Sequence, residues 1–155
     1  MVEISVVFIL LLISGMFSGT EVAFTSLSVD QIERMKKEQG KRGNRVADLH
    51  DHIDVVLTSI TIGNNIANLA ASALVSALTI RWFGETWLTA STLVLTILVL
   101  ILGEVTPKQI GILHNEAVTL RLAPLLRVLA IMFAPLIWFI RLISNALTRL
   151  TGGAK

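Results

Sequence analysis

Three long apolar runs, separated by short polar segments, set the pattern of this sequence. Residues 4–27, 53–80 and 86–112 are mostly apolar, and each run is long enough to cross about 30 Å of hydrocarbon as an α-helix. The first run lacks the basic start and the small-residue cleavage site of a secretory signal, so we interpret it as a transmembrane helix. The pattern predicts an all-α membrane protein with three transmembrane helices.

A polar and basic segment joins the first two runs. Ser28 and Gln31 have the spacing of a capping box, which predicts a surface helix that begins after Ser28 and ends near Gly40. Short loops rich in lysine and arginine lie on the cytoplasmic side of a membrane, and this loop carries Arg34, Lys36, Lys37, Lys41, Arg42 and Arg45. We therefore expect cytoplasmic juxtamembrane helices over residues 28–50, with the N-terminus outside the cell and the C-terminus in the cytoplasm.

The last apolar segment, residues 116–150, is interrupted by arginines and prolines. Its longest uncharged stretch, residues 128–140, is short for a transmembrane helix. A fourth span would also place Arg141 and Arg149 outside the cell, against the usual distribution of basic residues. We therefore predict two interfacial helices, broken near Pro135, that lie along the cytoplasmic leaflet.

The composition supports the membrane assignment and narrows the function. Hydrophobic residues make up 54% of the chain and charged residues 15%, with a mean hydropathy of +0.75, so we expect membrane lipid and not nucleic acid as a partner. The chain has no cysteine, which excludes disulfides and thiolate metal sites. It has neither a His-Glu-x-x-His pattern nor a serine–histidine set at membrane depth, so we predict that it is not an enzyme.

His50 and His52 lie in the basic loop beside several aspartates. A group of this kind can bind a metal ion, because imidazole nitrogen and carboxylate oxygen are both common ligands. A solvated polar connector is the interpretation that we favour for these residues.

The most unusual polar residues lie at the end of the third run. Glu104 is at or near membrane depth, where a charged side chain costs about 2.5–3.5 kcal/mol even on lenient scales. Pro107 cannot donate a hydrogen bond to the carbonyl four residues earlier, which is that of Gly103. A carboxylate beside a free carbonyl suits a hard cation. The alternative is a proline kink with an ion-paired glutamate.

The first two runs also contain polar residues. Ser14 and Ser18 share one helix face, next to Gly15 and Gly19, and on spacing alone we favour close helix packing over ion binding for this group. The second run carries three amides, Asn64, Asn65 and Asn68. Buried amides in lipid need partners, either in another helix or in a polar cavity, and the spacing leaves both possibilities open.

Taken together, three motifs resemble the CorC/CNNM family of magnesium transporters. They are Phe-Ser-Gly-Thr-Glu at residues 17–21, Ile-Gly-Asn-Asn at residues 62–65 and Gly-Glu-Val-Thr-Pro-Lys at residues 103–108. The match covers the whole chain in order and spacing. The resemblance implies a homodimer of three-span domains, with a cytoplasmic belt of juxtamembrane helices, that exports Mg²⁺ in exchange for Na⁺.

The resemblance also implies a set of ion ligands. Four residues match the family's positions around the ion, and a fifth is an additional candidate: Ser18, Asn64, Gly103 and Glu104, with Ser14 as the fifth. All of these are oxygen donors suited to Mg²⁺, and only Glu104 is charged. Which of Asn64, Asn65 and Asn68 binds the ion stays open.

Three further expectations concern the extent of the protein, one ion pair and the dimer interface. The family normally continues into nucleotide-binding cytosolic regulatory domains, whereas this sequence stops at Lys155, so we expect either a truncated chain or an isolated membrane domain. We predict that Glu21 pairs with Lys108, directly or through a partner subunit, and that small residues from Ala70 to Ala77 form the dimer interface. A membrane scaffold or regulatory anchor without transport activity is the alternative function.

Overall fold

The computed structural model describes residues 2–150, with side chains to residue 145, and every regular element in this part is helical. The seven α-helices are α1 (Val2–Thr25), α2 (Val29–Gln39), α3 (Lys41–Asp51), α4 (Ile53–Phe83), α5 (Leu88–Leu98), α6 (Thr106–Leu113) and α7 (Asn115–Leu150). A 3-10 turn (Glu85–Trp87) precedes α5, and a π-helical segment (Val99–Val105) joins α5 to α6. The prediction of an all-α membrane protein is confirmed.

Helices occupy all three predicted spans. α1 matches the run at 4–27, α4 matches the run at 53–80, and the continuous helical stretch Glu85–Leu113 matches the run at 86–112. Within the described residues a fourth helical stretch, Asn115–Asn145, is also long and apolar enough to cross a membrane. This fourth candidate falls on the segment for which the sequence predicts interfacial helices.

The predicted break near Pro135 is wrong, because α7 continues as one helix through both Pro124 and Pro135. The buried side chains of α7 explain its continuity. Thr119, Ala123 and Ile137 are buried on one face of the helix, on both sides of Pro135, and α7 packs against α1, α3 and α4. A proline removes a single backbone hydrogen bond, and packing on both sides of it holds the helix axis in place.

The largest group of packed apolar side chains lies where α1, α2, α3, α4 and α7 meet. Its members are Phe17, Phe24, Leu27, Ile32, Met35, Val46, Ala47, Leu49, Val56, Ile60, Ala123 and Leu126. α2 and α3 contribute to it because they approach closely, and a Cβ on Gly43 would lie 1.9 Å from the carbonyl oxygen of Met35. The juxtamembrane helices therefore form one packed body with the adjoining ends of α1 and α4.

The boundaries of α2 agree with the sequence prediction. The Ser28 side chain accepts a hydrogen bond from the Gln31 backbone, and the Gln31 side chain accepts one from the Ser28 backbone, so the capping box is present. The helix ends at Gly40, whose φ of 51° is readily adopted by a residue without a Cβ. Gln31 and Arg34 also bond to Glu116, which ties α2 to the start of α7.

Candidate cation site

Glycines bring α1 very close to the third span. A Cβ on Gly15 would lie 2.6 Å from the carbonyl oxygen of Leu102, and one on Gly111 would lie 2.2 Å from that of Gly19. Only glycine permits contacts this short between two helix backbones. The packing role that the sequence suggests for Gly15 and Gly19 is therefore present, and it places the neighbouring serines against the other spans.

A chain of hydrogen bonds links α1 to α4 through the predicted residues. Ser14 Oγ donates to Asn64 Oδ1 at 2.6 Å, and Asn64 Nδ2 donates to Ser18 Oγ at 3.3 Å. Asn68 Nδ2 donates to Asn64 Oδ1 at 3.4 Å, so a second amide joins the group. Ser14 and Ser18 are fully buried, at 0% and 1% exposed. The structure thus brings Ser14, Ser18 and Asn64 together with Asn68.

The side-chain oxygen of Asn68 has no hydrogen-bond partner within the described part of the chain, although it is buried. An unsatisfied buried polar group costs about 1–3 kcal/mol, so such groups are rare in folded proteins and mark positions of special chemistry. This oxygen lies at the edge of a cluster of hydroxyl and amide oxygens. It is the kind of atom that a bound cation or its water would satisfy.

The third span joins the same cluster at Gly103. A Cβ on this buried residue would lie 3.1 Å from Ser14 Oγ, so its backbone is next to the hydroxyl that bonds to Asn64. Glu104 follows directly and is partly buried. Four of the five predicted ligands therefore converge in space, namely Ser14, Ser18, Asn64 and Gly103. The remaining one, Glu104, is the residue that directly follows Gly103.

The backbone around Gly103 has a π-helical register, which the sequence does not predict. The segment Val99–Val105 is π-helical, and the Thr106 N–H donates to the carbonyl of Ile101, five residues earlier. α6 then returns to the α register, in which each N–H bonds the carbonyl four residues earlier. Because Pro107 has no N–H, the carbonyls of residues 102–104 are left with a single backbone donor, that of Lys108.

The sequence predicts a free carbonyl at Gly103 but does not predict the change in helical register. The only local signal was the spacing of Gly103 and Pro107, which indicates a disturbed helix but does not specify a π-helix. π-helical segments are found often at functional sites because they expose backbone groups that an α-helix would use internally. Here the segment contains Gly103, whose backbone lies next to the Ser14 hydroxyl of the cluster.

Glu104 forms no hydrogen bond or ion pair with any other residue in the part of the chain with described side chains. The ion pairs found there are Arg34 with Glu116, and Arg81 with Glu3 at 3.2 Å. The ion-paired glutamate that the kink interpretation requires is therefore not found among the residues with described side chains. A direct Glu21–Lys108 pair is likewise not found within one chain.

Other candidates lie apart from the cluster. Asn65 is exposed, whereas Asn64 and Asn68 are partly buried. His52 Nδ1 lies 3.0 Å from the carbonyl oxygen of Asp48, and no group of three or more His, Asp or Glu side chains able to hold a metal was found among the described residues. His50 and His52 thus fit the connector interpretation better than a metal site.

Comparisons with known proteins give matches over most of the chain. A family model described as the Cyclin M transmembrane N-terminal domain matches residues 5–155. The chain is 35% identical over 140 residues to the UPF0053 inner membrane protein YfjD of Escherichia coli, which covers 90% of this chain and 33% of the relative. It is 31% identical over 156 residues to a UPF0053 protein of Haemophilus influenzae, covering 97% of this chain and 37% of the relative.

A third relative carries a functional name. The chain is 27% identical over 154 residues to a polyamine export protein of Haemophilus influenzae, covering 91% of this chain and 36% of the relative. The chain therefore spans about a third of the length of these curated relatives.

Proposed function

Because the chain belongs to the Cyclin M transmembrane N-terminal domain family, we propose that it transports Mg²⁺ across the cell membrane by alternating access around the cluster of Ser14, Ser18, Asn64, Gly103 and Glu104. The direction is export, coupled to Na⁺ entering in exchange. The observation that carries the proposal is the meeting of oxygen donors from three predicted spans, with one buried amide oxygen that has no partner among the described residues.

The chemistry of the donors favours a hard divalent cation. Hydroxyl, amide, carbonyl and carboxylate oxygens are the ligands that Mg²⁺ prefers, and the described cluster contains no nitrogen or sulfur ligand. Mg²⁺ requires near-octahedral geometry at about 2.0–2.1 Å and loses water reluctantly. The freed carbonyls of the π-helical segment supply ligands beyond the side chains, and retained waters complete the shell.

Each residue has a defined role in this proposal. Ser14, Ser18 and Asn64 offer neutral oxygens from α1 and α4, and the Gly103 carbonyl offers one from the third span. Glu104 supplies the only negative charge, so a bound Mg²⁺ leaves the site with a net charge of about +1. This excess charge keeps binding weak enough for the ion to leave, as transport requires.

The topology in this proposal has three spans, an outside N-terminus and an interfacial α7. Its support is the position of α7 beside α3, since Arg45 and Asp51 line one cavity with Arg127 and Ala134. α3 is a polar surface helix. Because α7 runs beside α3 for about two turns, from Arg127 to Ala134, the two helices lie at the same level in the membrane. The domain acts as a homodimer, in which a second copy closes the side of the site that one chain leaves open.

A polyamine is the second candidate cargo, because one relative is named a polyamine export protein. A polyamine carries several separated positive charges and is best held by several carboxylates. The described cluster offers one carboxylate, which fits a compact ion better than a long polycation.

A membrane scaffold that carries no ion is the third possibility. Such a scaffold would not need backbone carbonyls without hydrogen-bond donors, such as those among residues 102–104.

Flux into proteoliposomes that contain a Mg²⁺-sensitive dye tests the proposal. We expect Mg²⁺ movement that depends on an opposing Na⁺ gradient, and we expect Glu104→Gln to slow it at least about tenfold, because loss of one charge interaction of about 1.4 kcal/mol has this effect. Glu85→Gln is the matched control, since Glu85 is exposed in the outer turn, and it should transport normally.

The same vesicles separate the competing functions. Spermidine that moves while Mg²⁺ does not would assign the polyamine function instead. A wild-type protein that moves neither cation would support the scaffold. Normal Mg²⁺ flux by Glu104→Gln would show that the ion site is elsewhere.

A further inference from the structure

A basic cavity of about 290 Å³ lies where α3 meets the first turns of α7. Its lining consists of two apolar residues and three arginines, namely Leu120, Pro124, Arg42, Arg45 and Arg121. In residues 2–145 none of these three arginines forms an ion pair, whereas Arg34 and Arg81 each pair with a glutamate. The cavity therefore keeps its positive charge.

The acidic residues nearby do not neutralise this cavity. Asp48 and Asp51 line a neighbouring cavity, which Arg45 shares, and Glu116 is bonded to Arg34 and Gln31. A guanidinium group is planar and donates paired hydrogen bonds, a geometry that matches the oxygens of a phosphate. Arginines from two helices around one opening suit a phosphate group as ligand.

An exposed apolar stripe on α7 begins at the same cavity. Leu125, Val128 and Met132 follow Arg121 by four, seven and eleven residues, so all lie on one helix face. These side chains are 39%, 60% and 55% exposed. The opposite face, which includes Ala123, is buried against the other helices. A ligand with a phosphate at one end and apolar chains at the other would contact both features.

We propose that this cavity binds the phosphate of an anionic phospholipid, with the arginines on the headgroup and the acyl chains along the α7 stripe. The cavity is at the membrane surface, because α3 is followed at once by α4, a predicted span that begins at Ile53. Leaflets rich in anionic lipid attract basic clusters in this position. A soluble phosphate compound shares the headgroup chemistry but gains nothing from the stripe. The inference does not rest on the transport proposal.

Native mass spectrometry of the protein in neutral detergent, with added phosphatidylglycerol or phosphatidylcholine, tests the inference. The test variant is Arg42→Gln with Arg121→Gln, and the matched control is Lys36→Gln with Lys37→Gln. The control removes the same charge from exposed positions on α2, outside the cavity. We expect the wild type and the control to retain phosphatidylglycerol selectively, and the test variant to bind it about thirtyfold more weakly, as loss of two interactions of this type predicts.

A conservative variant and a competing soluble phosphate distinguish binding of lipid at the cavity from general charge attraction and from binding of the phosphate group alone. The conservative variant Arg42→Lys with Arg121→Lys should bind more tightly than the glutamine variant, and unchanged melting without added lipid shows that all variants are folded. If the test and control variants lose affinity for phosphatidylglycerol equally, the cavity is not the binding site, because the effect is then general charge attraction. Displacement of phosphatidylglycerol by glycerol 3-phosphate at equal concentration would overturn the lipid as ligand.

Discussion

Asn64 connects the transmembrane helices at the scale of single residues. Its amide accepts a hydrogen bond from Ser14 and donates one to Ser18, so both serines of α1 are held by one side chain of α4. Its carbonyl oxygen also accepts from Asn68, whose own oxygen stays without a partner among the described residues. Asn64 therefore organises the cluster, and Asn68 carries the buried oxygen that is unsatisfied in the described part of the chain.

Substitution of Asn68 by alanine distinguishes a ligand from a packing residue. Without Mg²⁺ we expect little loss of stability, or a small gain, because an unsatisfied buried acceptor costing about 1–3 kcal/mol is removed. With Mg²⁺ near millimolar concentration we expect the rise in melting temperature to shrink, since a bound ion stabilises only the state that holds it.

Asn65→Ala is the matched control for this measurement, because Asn65 is exposed and outside the cluster. It should keep the full Mg²⁺-dependent rise in melting temperature. An Asn68→Ala protein that is destabilised without Mg²⁺ and keeps the full Mg²⁺ response would mean that Asn68 serves packing alone.

The third span is the element in which packing and chemistry meet. Its π-helical segment lies opposite α1 at the level of Gly15, and α6 continues the contact to Gly111. The close approach along Gly15 and Gly19 holds the segment against Ser14, whose hydroxyl reaches Gly103. The geometry of the site therefore depends on residues that carry no functional group.

Gly111→Ala should disturb this contact between helices. The added methyl group would lie 2.2 Å from the carbonyl oxygen of Gly19, and a backbone atom cannot move aside cheaply. Overpacking of this kind costs about 1–3 kcal/mol, which exceeds the gain of up to about 1 kcal/mol from replacing a helical glycine. We expect a lower melting temperature and slower Mg²⁺ flux.

Val94→Ala provides a comparison for this variant, since Val94 is 58% exposed on the same span. It should melt and transport like the wild type. A Gly111→Ala protein with normal melting and flux would show that the close contact with Gly19 is not required.

At the scale of the whole molecule, one face of α4 has no cover. Ala70, Ala73 and Ala77 are all exposed, and so are Asn65 and Leu69 on the same side. These three alanines are therefore not covered by the described helices of the same chain. An exposed amide and small side chains on a transmembrane helix fit close packing against another helix, which supports the proposed dimer.

Ala73→Leu combined with Ala77→Leu tests the proposed interface. The larger side chains prevent close backbone approach, so we expect the wild type to be a dimer in detergent and the double variant to be largely monomeric by light scattering. Val2→Leu with Val6→Leu, on an exposed part of α1, adds similar bulk elsewhere and should leave the dimer intact. A monomeric wild type, or a double variant that is still fully dimeric, would exclude this interface.

The sequence by itself determined the three long apolar helices and the capped surface helix α2, and it showed which polar residues interrupt the apolar segments. These features follow from local physics, because the length of an apolar run, the spacing of a capping box and the cost of a charge at membrane depth are all fixed by neighbouring residues. Ser14, Ser18 and Asn64 stand out as polar residues in apolar segments, and their selection as candidate ligands rests on the family resemblance.

Only the tertiary structure decided the π-helical register, the separation of Asn68 from Asn65 and the continuity of α7 through Pro135. Each depends on contacts between residues far apart in the chain. Gly15 closely approaches Leu102, within the segment where the helical register changes. Asn64 lies between two serines and accepts a hydrogen bond from Asn68. Ile137, which follows Pro135, is buried against other helices. Local preference cannot specify these features, because a helix in a packed bundle follows the surface of its neighbours.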